Sequence, residues 1–430
     1  MYLIYSALLG FAMLLGSPYW LYVMLRHRKY RKGLRERLGL VPERLRSDQP
    51  SIWVHAVSVG EVLAVSELVK RLRAEFPNHR VVISTTTGTG QKLAGTRFGT
   101  KNVFYFPLDF AFALRRWMRA LRPELIVIAE TEFWPNFLRM GKSAGARIAV
   151  VNARISDRSL PGYRRWRRML RSVLGEIDIF LSQTSEDARR LQEIGAPQDR
   201  VFVGGNLKYD VPAPAKAVIV DRLQSSLRQS DAGPVWVCGS TVEGEESILL
   251  DAFQRVLAAH PVAALLLAPR HPERFGAVAE LLRIAGTAFQ MRSQWNGASL
   301  GGSVLLIDSI GELAGLYALA DVAFVGGSLV PRGGHNIIEP AQHGVPILVG
   351  PYTENFRDIV ALFQGNDAMR VVDPSDLAQT VLGLFANADA RQSLGTRAAG
   401  TLRSQQGATE FAMKKLKALL SAHAHEAKPA

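Results

Sequence analysis

The 430-residue sequence contains a single cysteine, Cys238. One thiol excludes a disulfide framework and a thiolate metal site, and points to a reducing compartment. No Asp-x-Asp occurs, and no two histidines have metal-ligand spacing, so the sequence gives no support to metal-dependent chemistry. A Gly-x-x-x-x-Gly-Lys-Ser/Thr stretch is missing too, which argues against a P-loop ATPase. Solenoid repeats are also absent. The net charge of +14 calls for an anionic partner. Its Lys and Arg residues cluster in two places, and neither resembles a recognition helix or an aromatic-ribbed RNA sheet. Nucleic acid is therefore not the expected partner. With 48% hydrophobic and 21% charged residues the chain reads as folded, and its length suggests two or three domains.

What is present begins with charge-free residues 1–25, long enough to cross a bilayer. Arg26, Arg28, Lys29, Arg31, Lys32, Arg35 and Arg37 follow at once, which by the positive-inside rule keeps the bulk of the chain cytoplasmic. A secretory signal would have the opposite order of charge and a small-residue cleavage site. Tyr19, Trp20 and Tyr22 suit a membrane interface. Ser17-Pro18 is a candidate helix break, so spanning and in-plane anchors both stay open.

From Ser51 the pattern is α/β. Strands are expected at 52–56, 80–84, 125–129, 148–151, 179–182 and 201–203, with a helix over 61–76. Val211–Lys216 reads as a linker. A second set of strands is expected at 235–238, 263–268, 304–307, 322–325 and 347–349. Strands alternating with helices imply parallel sheets with ligands at their carboxyl ends. The fold class is therefore α/β, with two doubly wound Rossmann-like domains facing across a cleft.

Several residues suit chemistry. The stretch 326–350, GGSLVPRGGHNIIEPAQHGVPILVG, combines glycines that permit close ligand approach with a short helix expected to begin near Ile337. Asn336 and Glu339 there read either as a capping box or as a nucleotide site, with phosphate on the helix start and a ribose diol on the carboxylate. Glu61, in HAVSVGEV, reads either as a first-turn cap or as a general base. Lys208 follows the last strand of the first set. Arg270 follows a strand of the second set and suits a phosphate or carboxylate clamp, or an inter-domain ion pair. Ile310-Gly311-Glu312 opens a helix whose backbone could meet a base or ribose. Residues 154–171 carry seven arginines interleaved with Tyr163, Trp166, Met169 and Leu170, which suits a lipid-facing or solvated surface.

In order, YRKGLRERLG, WVHAVSVGEV, ETEFWPN, NARISDRS, GNLKYD, APRHPERF, GGSLVPRGGHNIIEP and FRDI resemble the Kdo transferases of Gram-negative bacteria, from about Tyr30 onward. The resemblance implies a GT-B fold and inverting, metal-independent transfer of 3-deoxy-D-manno-oct-2-ulosonic acid (Kdo) from CMP-Kdo to a lipid A precursor (lipid IVA). No cofactor is implied, and CMP-Kdo is the donor substrate. Glu61 matches the family's catalytic base. Glu130 and Lys208 match groups that stabilise the transition state. Pro269, Arg270, Ile310, Gly311, Glu312, Asn336, Ile337, Ile338 and Glu339 match the CMP contacts. No metal ligand is implied. The domains this suggests are an anchor over 1–25, an acceptor-binding domain over 26–212, and a CMP-Kdo-binding domain over 213–430 whose last helix packs back on the first. The implied setting is the cytoplasmic side of the inner membrane, with a phosphorylated glycolipid and the anionic surface as partners.

Two positions depart from the family pattern. Val242 stands where a histidine is usual in Ser240-Thr-Val-Glu-Gly-Glu245, and Ile337-Ile338 replaces Pro-Leu. Two other readings are a UDP-sugar transferase acting on another membrane lipid and a non-catalytic GT-B scaffold. The retained Glu61, Lys208 and Glu339 argue against the scaffold.

Overall fold

The computed structural model describes residues 2–27, 33–210 and 218–426. The expected linker, the boundary at 212/213, and the basic residues Arg28, Lys29, Arg31 and Lys32 lie outside the described residues, as does the side chain of Trp20. The chain divides into two compact units, Met1–Val211 with Gln405–Ala430, and Pro212–Ser404.

Unit 1 is built on β1 (Ser51–His55), β2 (Arg80–Thr85), β3 (Val103–Tyr105), β4 (Pro123–Ala129), β5 (Arg147–Ala153), β6 (Ile179–Ser182) and β7 (Val201–Val203). They form one parallel sheet in the order β3-β2-β1-β4-β5-β6-β7. The central strands are near-continuous buried apolar runs because helices cover both faces of the sheet, while the edge strand β7 is partly exposed. The helix Ala408–Glu426 belongs to this unit and buries Ala412, Met413, Leu416 and Leu420 in one of its two cores.

Unit 2 carries β8 (Val235–Thr241), β9 (Ala264–Pro269), β10 (Phe289–Met291), β11 (Val304–Leu306), β12 (Val322–Val325), β13 (Ile347–Val349) and β14 (Arg370–Val371). They form a second parallel sheet in the order β10-β11-β9-β8-β12-β13-β14. Strand order reverses between β1 and β4 in unit 1 and between β8 and β12 in unit 2. In doubly wound sheets ligands bind at that switch, beyond the carboxyl ends of the strands.

Local expectations change or gain detail in four places. β3, β10 and β14 are edge-side strands of three, three and two residues, too short to show a period. The helix expected over 61–76 is two helices, Val59–Ala64 and Ser66–Glu75, broken at Val65. Residues 154–171 form a turn and two short helices, Leu160–Arg165 and Arg167–Leu174, that meet at Trp166. Ser17-Pro18 does not break the N-terminal helix, which runs Tyr2–His27. Proline removes the N–H that would bond the Leu14 carbonyl, and the Ser17 hydroxyl donates to that carbonyl at 2.8 Å instead.

Candidate active site

In unit 1 the switch point is made by the loops after β1 and β4. After β1, Ser58 caps the helix Val59–Ala64 and Glu61 closes a reciprocal capping box. The Glu61 N–H points to Ser58 Oγ at 3.4 Å, the Ser58 hydroxyl donates to Glu61 Oε1 at 2.9 Å, and the Val57 N–H donates to Oε2 at 2.8 Å. The carboxyl is nonetheless buried, and burial lifts its pKa from 4.5 to about 7. Hydrogen bonds from Val57 and Ser58 oppose that rise, while Glu130 and Glu132 add to it. The capping carboxylate thus has the raised pKa that a general base working near neutral pH requires.

Glu130 follows β4 with φ +59°, a left-handed conformation uncommon for a residue with a side chain. Its carboxylate lies 3.7 Å from Lys208 Nζ. Lys208 sits in the single turn Leu207–Tyr209 after β7. That turn is held by Asn206 Oδ1 accepting from the Lys208 N–H at 3.0 Å and by Asn152 Oδ1 accepting from the Leu207 N–H at 3.0 Å. Asn152, itself at φ +56°, thus ties β5 to the turn that presents the lysine. Glu132 accepts from Trp134 Nε1 at 2.9 Å, and burial raises its pKa. Structure thus brings Glu61, Glu130 and Lys208 to one end of one sheet, with Glu132 added. His55 in the same motif is fully buried, pushed down to about 3, and paired with Ser84 Oγ at 2.9 Å, so it is a neutral core residue.

In unit 2 the loops after β8, β9 and β12 converge. Pro269 ends β9 and is buried, while Arg270 is exposed. The Arg270 N–H is fixed on the Thr241 carbonyl at 2.9 Å. Asn336 accepts from the Ile338 N–H at 3.1 Å and donates to Glu339 Oε1 at 3.3 Å. Burial raises the Glu339 pKa, and the Asn336 bond and the Arg270 charge hold it down, so the three form one cluster. Ile337 and Ile338 are buried and can offer a ligand only their backbone. Ile310 is exposed and Gly311 has φ +92°. Glu312 is occupied by Arg292 at 2.8 Å and by the Ser309 hydroxyl.

The short helix expected to begin near Ile337 is present as Ile338–Gln342; it is barely more than a turn, so its dipole contributes little. One expectation about the glycine-rich stretch changes. The N–H groups of Gly327, Ser328 and Leu329 already bond the Glu245 carboxylate at 2.7, 2.8 and 2.8 Å. A fourth bond comes from Val242 N–H at 3.0 Å. This cradle is filled by the protein's own carboxylate, and Glu245 is completely buried in it. The glycines serve that packing: a Cβ on Gly326 would lie 2.5 Å from the Ser240 carbonyl, and one on Gly327 would lie 2.8 Å from His335 Nε2.

With this geometry in hand, comparisons with known proteins decide the family. The sequence profile described as 3-deoxy-D-manno-octulosonic-acid transferase (kdotransferase) matches residues 32–211. The 3-deoxy-D-manno-octulosonic acid transferase of Haemophilus influenzae is 33% identical over 396 residues, covering 91% of this chain and 92% of that one. The chain belongs to the Kdo transferase family. Its Bordetella pertussis relative of the same description is 36% identical over 367 residues, covering 83% of this chain and 85% of that one. A glycosyltransferase structure from Rickettsia africae overlays with TM-score 0.51 at 14% identity, covering 87% of this chain and 98% of that one. A putative UDP-N-acetylglucosamine 2-epimerase from Listeria monocytogenes overlays with TM-score 0.53 at 15% identity, covering 89% of this chain and 98% of that one. These two likenesses establish the GT-B fold. The protein is thus a Kdo-transferring glycosyltransferase of GT-B fold.

Three residues of this candidate site were not singled out from sequence. Glu132 and Asn152 lie inside the motifs ETEFWPN and NARISDRS, and the alternation of acidic residues around Thr131 was the available signal for Glu132. Glu245 carried only the signal of its Ser240–Glu245 motif.

Proposed function

We propose that the protein transfers Kdo from CMP-Kdo to a phosphorylated glycolipid, a lipid A precursor of the lipid IVA type, with inversion and without a metal ion. The observation that carries this reading is the buried Glu61 carboxyl, lifted to about 7 beside the Glu130–Lys208 pair. Glu61 takes the proton of an acceptor hydroxyl as its oxygen attacks the anomeric carbon of Kdo. The bond from that carbon to the CMP phosphate breaks, and CMP leaves with the electron pair. Lys208, steered by Glu130, opposes charge in the transition state.

Unit 1 binds the acceptor in this reading and unit 2 the donor. Arg270 meets the cytidylate phosphate, Glu339 accepts from its ribose diol, and Pro269, Ile310, Gly311, Glu312 and the Asn336–Ile338 backbone complete the CMP contacts. Since the 327–329 amides are committed to Glu245, the leaving phosphate depends on Arg270 more than on a helix start. Among the described residues no group of three or more His, Cys, Asp or Glu is arranged to hold a metal, and this reading assigns the phosphate charge to cationic side chains. No cofactor is needed. The exposed arginines of 154–171 and the apolar N-terminal helix suit work at the cytoplasmic face of the inner membrane.

The test is turnover of CMP-Kdo with a tetra-acylated lipid A precursor by the Arg270→Ala and Glu339→Ala variants. Both should raise the donor KM at least tenfold and leave acceptor KM near normal. Unchanged donor KM in both would remove unit 2's cluster from donor binding.

A further inference from the structure

The N-terminal helix is apolar enough to cross a membrane, yet its first turns are fastened to unit 1. Tyr2 donates to Glu176 Oε1 at 3.2 Å, and the Arg139 guanidinium sits 4.7 Å over the Tyr2 ring. Tyr5 hydrogen-bonds the Asp109 carboxylate, and Asn136 Nδ2 donates to Ser6 Oγ at 2.9 Å. Among residues 2–19 the partly shielded ones are 2, 5, 6, 9, 10 and 16, a helical stripe facing the body. Leu3, Ile4, Leu8, Phe11, Leu14 and Leu15 are more than 60% exposed.

The chain meets unit 1 again soon after the far end. Gly33 lies against the Tyr105 ring of β3, and residues 28–32 can bridge roughly 20 Å at most. The 26-residue helix is about 39 Å long, against about 30 Å for a hydrocarbon core. A crossing helix with its first turns packed on unit 1 and its far end within that reach of the same unit would need that body on both sides of the bilayer. We propose that this helix lies in the plane of an anionic membrane leaflet, outer face down, and does not cross it.

Charge complementarity selects the occupant of that apolar face. The end of the helix Arg167–Leu174 reaches the first turn through Ser172 and Glu176, both partners of Tyr2. The same segment carries exposed Arg164, Arg165, Arg167, Arg168 and Arg171. Among them Arg164 pairs with Glu193, which also feels the charge of Arg167. An apolar stripe flanked by arginines fits acyl chains below anionic headgroups. The inference rests on the glycolipid reading above and adds how the enzyme sits on the surface holding its acceptor.

The experiment places a nitroxide label on the full chain at Leu3→Cys, Leu8→Cys or Leu15→Cys; Cys238 is buried and stays unlabelled. Depth is read from oxygen and nickel-chelate accessibility in phosphatidylglycerol–phosphatidylethanolamine vesicles. All three labels should share one shallow depth, about 5–10 Å below the headgroups. Depths stepping over about 18 Å from Leu3 to Leu15 would mean crossing and overturn the proposal. Labels shielded from water without lipid, with dipolar coupling between chains, would mean a second copy covers the face and would overturn it as well. Replacing Arg165, Arg167 and Arg168 by Gln should weaken partition onto phosphatidylglycerol vesicles roughly 100-fold, with no change on phosphatidylcholine. Unchanged partition would remove the arginines from the surface. Kdo transfer in detergent is followed in parallel. Transfer retained with stepped depths refutes the in-plane placement alone, while absence of transfer by the unmodified chain refutes the functional reading alone.

Discussion

Replacing Glu61 by Gln separates a cap from a base, because the two roles respond in opposite directions. The amide keeps the shape, accepts from the Val57 N–H, and lets the Ser58 hydroxyl turn to suit. It also removes a cost. In the folded chain burial raises the Glu61 pKa from 4.5 to about 7, so folding takes up a proton between those values. Stability from this group is therefore full below 4.5 and is lost as pH rises through about 7. At about 1.4 kcal/mol per pH unit the ionised carboxylate costs the fold roughly 3 kcal/mol at pH 8. Glu61→Gln should thus melt at the same or a higher temperature than the parent at pH 8, with the gap closing toward pH 4.5. Turnover should fall by about 10²–10⁴-fold, since an amide takes no proton from the acceptor. CMP affinity, assigned to unit 2, should not change. The assays are calorimetry at both pH values, CMP titration, and single-turnover transfer. Near-normal turnover would refute the general base, and a variant less stable than the parent at pH 8 would refute the desolvated carboxylate.

Glu130 adds to the raised pKa of Glu61, so Glu130→Gln should move the acid limb of the pH–rate profile to lower pH while lowering kcat. An unmoved limb would uncouple the two carboxyls. Glu245→Gln puts an amide NH₂ against backbone donors in a buried cradle, at a cost of about 1–3 kcal/mol, read as a lower denaturant midpoint. Gly327 accepts from the Gly334 N–H at 2.6 Å, so the loop before Asn336 should loosen and CMP affinity should drop with it. Unchanged stability and affinity would contradict the cradle's role. Activity should survive excess EDTA, and loss restored by magnesium would contradict the cation-based site.

The strands were legible where burial on both faces left runs of Val, Ile and Leu, as in Ile179–Ser182 and Val322–Val325. β14 was not, because two exposed residues carry no pattern. Glu61 was legible as a helix-start carboxylate from Ser58 three residues before it. Its burial was not, because that depends on strands distant in sequence. The glycines of 326–334 signalled close approach, and what approaches is Glu245, His335 and Asn355 of the same unit. Spacing alone does not distinguish a ligand's carboxylate or phosphate from the chain's own. Family motifs supplied Lys208, for which local pattern alone favoured a surface lysine.

The most direct measurement is mass spectrometry of the products when the purified full-length chain is incubated with CMP-Kdo and a tetra-acylated lipid A precursor in EDTA. Kdo-bearing lipid and stoichiometric release of CMP are expected. Unmodified lipid, or a product formed only from a UDP-sugar, would contradict the proposed transfer.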